Sequence, residues 1–193
     1  AAPQADLHGY LRAGTGSNGR GAKQECFFNQ GARAPNEFRL GNECEIYGEL
    51  AGDIHFLRTP ETKDDDPFFR TQVRFAFSTP GNTSFENDDA YTRDINIVEA
   101  FVEGGRLDGL PLTYWAGKRF YRDADVYFYD WYYFAEMNGN GAGLGNIPLG
   151  PGKLALAFLF QTGSTRTDIG LNQSQVLDVR WQDIRIGEKD HLH

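Results

Sequence analysis

A chain of 193 residues with 40% hydrophobic, 24% charged and 14% aromatic residues has too much apolar and ring surface for a disordered segment, and it lacks the periodicity of collagen or a coiled coil. Nineteen Lys and Arg against 27 Asp and Glu leave a formal charge of -8, which repels a phosphate backbone and argues against nucleic acid as a partner. The best uncharged apolar run, Leu154 to Phe160, falls far short of the roughly 20 residues that a membrane-spanning helix requires.

In chain order, Ala1-Ala2-Pro3-Gln4-Ala5 reads as a mature terminus left after removal of a signal peptide. Period-two alternation then predicts strands at Leu7 to Ala13, Glu45 to Leu50 and Phe69 to Ser78. In the last of these, Phe69, Thr71, Val73, Phe75 and Phe77 alternate with Arg70, Gln72, Arg74, Ala76 and Ser78. Further strands are predicted at Ile97 to Glu103, Leu112 to Arg119, Lys153 to Gln161 and Val176 to Gln182, about seven in all, with no amphipathic helix. Long connections (Gly14 to Phe38, Pro80 to Asp94, Phe120 to Gly152) alternate with shorter ones, and Gly187 to His193 reads as a final turn.

The fold class is therefore all-β, and alternation alone leaves two architectures open. A soluble sandwich buries its apolar face, whereas an outer-membrane barrel turns that face to lipid and wets its lumen. Long loops alternating with short turns suit the barrel. Cys26 and Cys44 are either a disulfide of an oxidising compartment or a pair of buried thiols, and neither has a partner at zinc-ligand spacing.

Catalytic signals are weak. Asp125 with Asp130, or Glu99 with Glu103, nominally supplies the paired carboxylates of a carbohydrase, but no Ser-His or Cys-His constellation accompanies them. His8, His55, His191 and His193 are dispersed, and Asp64-Asp65-Asp66 lacks the glycine and terminal glutamate of a calcium loop. No enzyme activity, metal or cofactor is expected.

One resemblance covers nearly the whole chain. Leu7-His8-Gly9-Tyr10-Leu11-Arg12-Ala13-Gly14, Phe38-Arg39-Leu40-Gly41-Asn42-Glu43-Cys44-Glu45-Ile46-Tyr47-Gly48-Glu49-Leu50 and Trp115-Ala116-Gly117-Lys118-Arg119-Phe120-Tyr121 resemble the maltoporin family of sugar porins. Asp125-Val126, Asp130-Trp131-Tyr132-Tyr133, Gly141-Ala142-Gly143-Leu144, Gly152-Lys153-Leu154 and Leu177-Asp178-Val179-Arg180 follow in that family's order. The resemblance implies an 18-stranded antiparallel transmembrane barrel in the bacterial outer membrane. There it assembles as a homotrimer in lipid and passes sugars into the periplasm by facilitated diffusion. Residues 1–193 would be the N-terminal portion of that single barrel domain, with an inward-folded constriction loop at about 120–146.

Residue by residue, the resemblance makes Tyr10 and Tyr47 part of an aromatic slide, with Phe85 at the position of a ring that enters a neighbouring subunit's channel. Arg12, Arg39, Glu49, Arg122, Asp125 and Asp130 would form a polar track for sugar hydroxyls, Tyr132 would narrow the pore, and Cys26 and Cys44 would staple the first loop. The alternative for the rings is an interfacial girdle, and for the track a solvated sheet face. Three positions depart from the family: Asp123 stands where a basic residue is favoured, Val98 where the track has an arginine, and Ala135 where an acid is usual. These departures leave a different or broader sugar range open. A general diffusion porin and a soluble carbohydrate-binding β protein are the competing functions.

Overall fold

The computed structural model describes residues 3–13, 18–22, 45–57, 63, 66–80, 94–126, 132–162, 173–185 and 191–192. Eight strands form one antiparallel sheet in chain order: β1 (Gln4–Arg12), β2 (Glu45–His55), β3 (Phe68–Pro80), β4 (Asp94–Gly105), β5 (Thr113–Val126), β6 (Tyr132–Leu149), β7 (Gly152–Thr162) and β8 (Gln173–Gln182). Two short strands, β9 (Ile184–Arg185) and β10 (His191–Leu192), pair separately. Each strand of the large sheet pairs with its predecessor, an up-and-down meander whose edges are β1 and β8, and the sheet does not close on itself. Among the described residues the only helical element is the 3-10 turn Leu107–Gly109.

Register fixes the two faces, because directly opposed residues of antiparallel strands project to the same side. One row reads Tyr10, Glu49, Ala76, and the next reads His8, Ala51, Arg74, Glu99. This side is the buried one: Asp53, Gln72, Glu99 and Asp178 are buried, and Ala51 and Leu159 are fully covered. The opposite side carries the large apolar residues and leaves them bare, with Leu7 73% and Leu177 71% exposed, alongside Leu11, Val179 and Trp181.

That polarity is the reverse of a sandwich, and it decides between the two architectures left open by alternation. A water-facing sheet that exposed so many large apolar side chains while burying its carboxylates would forfeit hydrophobic stabilisation on one face and desolvate ions on the other. A sheet in lipid has the opposite requirement. No helix among the described residues is long and apolar enough to cross a membrane.

The connections also sort by end. One end carries 56–67, 106–112 and 150–151, the last a two-residue turn in which Gly150 takes a φ of 57°. The other end carries 13–44, 81–93, 127–131 and 163–172.

Three expectations are corrected. The sheet holds eight strands, not about seven. The extra strand is β6, which together with the far end of β5 occupies most of the stretch read as a long connection over 120–152. The final segment read as a turn contains β10, paired to β9 through His191↔Arg185 and Leu192↔Ile184.

Candidate functional site

The polar face is the candidate site, and the strands supply it with side chains at every second position. At the β1 edge, Tyr10 and Tyr47 lie with ring centroids 6.4 Å apart, tilted by 53°. The Arg12 guanidinium stands 5.7 Å from the Tyr47 ring centre. Tyr10 is 53% exposed, so a flat apolar surface is open to a solute there. The resemblance implied a slide and track role for Tyr10, Arg12, Tyr47 and Glu49, and the register brings these four together on one face.

From Tyr47 a chain of polar contacts crosses the sheet. Its hydroxyl donates to Glu49 at 2.6 Å, Arg74 donates to Glu49 at 2.9 Å and to Glu99 at 2.6 Å, and Gln72 donates to Glu99 at 2.7 Å. A second chain lies nearer the short-turn end. Arg70 donates to Glu103 at 2.6 Å and to Asp53 at 3.3 Å, His8 lies 3.3 Å from Asp53, and Arg119 donates to Glu103 at 2.9 Å. Phe101, 5% exposed, lies between the Arg70 and Arg119 guanidiniums at 5.7 and 4.8 Å.

Burial demands this pairing. An ionised side chain withdrawn from water is tolerated only where an opposite charge and hydrogen bonds replace the lost hydration. The result is a face dense in donors and acceptors whose charges largely cancel.

Toward β8 the face becomes apolar. Trp115 and Tyr121 stack at 5.4 Å, and Tyr121 and Met137 pack against a cluster of Trp115, Ala157 and Leu159. Arg180, held by Asp178 at 2.6 Å, lies 4.3 Å from the Tyr121 ring centre.

The β5–β6 hairpin runs on past its neighbours. β4 pairs with β5 only as far as Ala100↔Lys118, and β6 with β7 only as far as Asn140↔Phe160, whereas β5 and β6 continue together to Val126↔Tyr132. The two-stranded ribbon beyond those points is an arm attached to the sheet at its base. Tyr121 at that base packs on the polar face. Arg122 also stacks over Phe120, with its guanidinium 4.0 Å from the ring centre. The backbone of Asp125 pairs with Tyr133, which puts Asp125 and Tyr132 near the tip. Arg39, Phe85, Asp130, Cys26 and Cys44 lie outside the described residues.

Sequence reasoning missed Asp53, Arg70, Gln72, Arg74, Arg119, Asp178 and Arg180 as parts of the site. For Arg70, Gln72 and Arg74 the signal was present in the even positions of 69–78, the polar register of that predicted strand. Glu99 and Glu103, entertained as a paired acid and nucleophile, each accept from arginine and are held as structural anions. Val98, aligned to a track arginine, sits where the β3–β4 register slips between Arg74↔Glu99 and Phe75↔Ile97. A comparison with protein families finds that the LamB porin family model matches residues 5–193.

Proposed function

This chain belongs to the LamB porin family, and on that premise we propose that its sheet is wall of an outer-membrane channel through which sugars diffuse passively into the periplasm. The family is one of outer-membrane β-barrel sugar porins, which are channels and not enzymes. The observation that carries the reading is the join of an accessible ring to a polar chain on one buried-polarity face: Tyr10 and Tyr47 beside Arg12, then Glu49, Arg74 and Glu99.

Sugars present apolar C–H faces and a rim of hydroxyls, and this arrangement answers both. Tyrosine rings accept the C–H faces, while guanidinium and carboxylate groups exchange hydrogen bonds with successive hydroxyls. Because the ions compensate one another, the wall offers many hydrogen bonds with little net field, which favours neutral polar solutes over ions. Conduction needs several weak sites in series so that the solute leaves as readily as it enters.

The β5–β6 arm is the constriction in this reading. Its base packs on the polar face through Tyr121, which supports this reading, and Asp125 and Tyr132 belong to the far pairs of its ribbon. Phe85, Arg39 and Asp130 join the slide and track, and Cys26 with Cys44 staples the first loop. Unpaired edges do not persist in lipid, so further strands of the same barrel complete β1 and β8, and the barrels assemble as a homotrimer. The substrate is maltose, a maltodextrin or a related oligosaccharide, and Asp123, Val98 and Ala135 support a range unlike that of a strict maltodextrin channel.

Planar-bilayer conductance of the full-length protein, titrated with maltose, maltotriose, sucrose and glucose, tests the proposal. Saturable block by one sugar series is the expected result. Open channels that no sugar blocks would identify a general diffusion porin, and no channels at all would return a soluble carbohydrate-binding protein to first place.

A further inference from the structure

The point where the arm leaves the wall is built, not frayed. Had β4 and β5 stayed paired beyond Ala100↔Lys118, the ladder would have continued toward Asp94; instead β4 follows β3 and β5 follows β6. Parting two strands exposes backbone donors and acceptors that require new partners. On the β4 side, the Ile97 carbonyl accepts from the Lys118 ammonium at 2.6 Å. On the β5 side, the Phe120 N–H donates to Glu99 Oε1 at 3.0 Å.

Two backbone features accompany the split. β4 bulges at Val98, and Gly117 adopts a φ of 129°, where a side chain would press on the Ala100 carbonyl and the Phe101 backbone. Glu99 is itself immobilised: it is 5% exposed, and its other oxygen accepts from Arg74 and Gln72. A fixed carboxylate therefore replaces a strand edge as the partner of the first amide of the arm.

We infer that Glu99 is a positioning residue for solute selection, setting where and at what angle the 119–139 arm leaves the wall. The inference rests on the reading of that arm as the constriction. Glu99 need not touch the solute. It couples the slide to the constriction, because Tyr47, Glu49, Arg74, Glu99 and the Phe120 amide form one unbroken hydrogen-bonded path. Lys118 secures the same split from the other face of the sheet, its register partner Ala100 lying opposite in parity to Phe101.

The test uses the full-length protein in planar bilayers. Wild-type block by a sugar is established first with the four sugars named above, and its absence would sink the porin reading independently of Glu99. With a blocking wild type, Glu99→Ala is expected to raise open-channel current noise and to weaken sugar binding about fivefold. Lys118→Met, which alters no lumen group, is expected to raise the noise in the same way. Glu99→Gln keeps one acceptor oxygen for the Phe120 N–H but turns an NH2 toward the Arg74 and Gln72 donors, and is expected to show a clearly smaller defect than Glu99→Ala.

Wild-type noise and block in both Glu99→Ala and Lys118→Met would overturn the inference. So would a Glu99→Gln defect as large as that of Glu99→Ala beside a silent Lys118→Met, since Glu99 would then act by its charge on the solute. If Glu99→Ala fails to assemble, Lys118→Met and Glu99→Gln carry the same decision.

Discussion

The Tyr47 hydroxyl donates a 2.6 Å hydrogen bond to the Glu49 carboxylate, two residues farther along the same face of β2. In the proposed channel this bond fixes a ring of the slide by means of a carboxylate of the track. Tyr47→Phe keeps the stacking surface and removes only the donor, at a cost of about 1 kcal/mol in stability. Tyr47→Ala removes the ring as well. Sugar titration of channel current should therefore show Phe within about threefold of wild type and Ala weaker by about tenfold. Equal loss in both would mean that the hydroxyl, and not the ring, binds the sugar.

Arg74 joins Glu49 and Glu99, and none of the three side chains is more than 21% exposed. Arg74→Met leaves two carboxylates facing each other without their shared cation, and breaking a buried pair in this way costs roughly 3–5 kcal/mol. The expected readout is a lower temperature for loss of the folded barrel on a heat-modifiability gel. The double variant Arg74→Met with Glu99→Gln relieves one of the stranded charges and should recover part of the loss. No recovery would show that Arg74 contributes by packing its stem.

How much of this was legible in the sequence differs between β3 and β6. In β3, Phe69 to Ser78 alternates so regularly that the strand and its two faces follow from inspection, though not which face meets water. β6 contains Asn138-Gly139-Asn140-Gly141-Ala142-Gly143, which reads as loop because glycine is depleted in strands. Its alternation is one of volume: Gly139, Gly141 and Gly143 oppose Arg119, Gly117 and Trp115, and a Cβ on Gly143 would collide with the Trp115 ring. Gly143 on β6 makes the room that Trp115 on β5 fills, and that relation exists only once the register is known. The ion network was hidden for the same reason. Arg74 and Glu99 are 25 positions apart, and nothing local says that they are opposite each other. The resemblance located the slide residues Tyr10 and Tyr47, but it named no partner for either.

Leu177 tests the polarity of the wall. It sits in the middle of β8, is 71% exposed, and has neighbours Val176 and Asp178 on the opposite, covered face. In lipid, Leu177→Arg places a cation against hydrocarbon and costs about 2–4 kcal/mol near the midplane. Folding into phospholipid vesicles, followed by protease protection, should show a marked fall in the inserted fraction. In water the same substitution would be close to neutral, so unchanged insertion would remove this face from the membrane.

The last prediction concerns the tip of the arm. Val126↔Tyr132 is the farthest pair of the β5–β6 ribbon, well beyond the last pairs that either strand makes with its outer neighbour. If the arm narrows the passage, removing bulk at its tip widens the narrowest section, where the resistance of a pore is concentrated. Tyr132→Ala should then raise single-channel ion conductance by about half or more while weakening sugar block, because a wider section loses contact with the solute. Asp125→Asn, isosteric at the neighbouring pair of the ribbon, removes a charge without removing volume, and should shift cation preference while leaving conductance near wild type. Reversal potentials in a salt gradient distinguish the two effects. A Tyr132→Ala channel with wild-type conductance would take Tyr132 out of the constriction and place the narrowest section elsewhere along the arm.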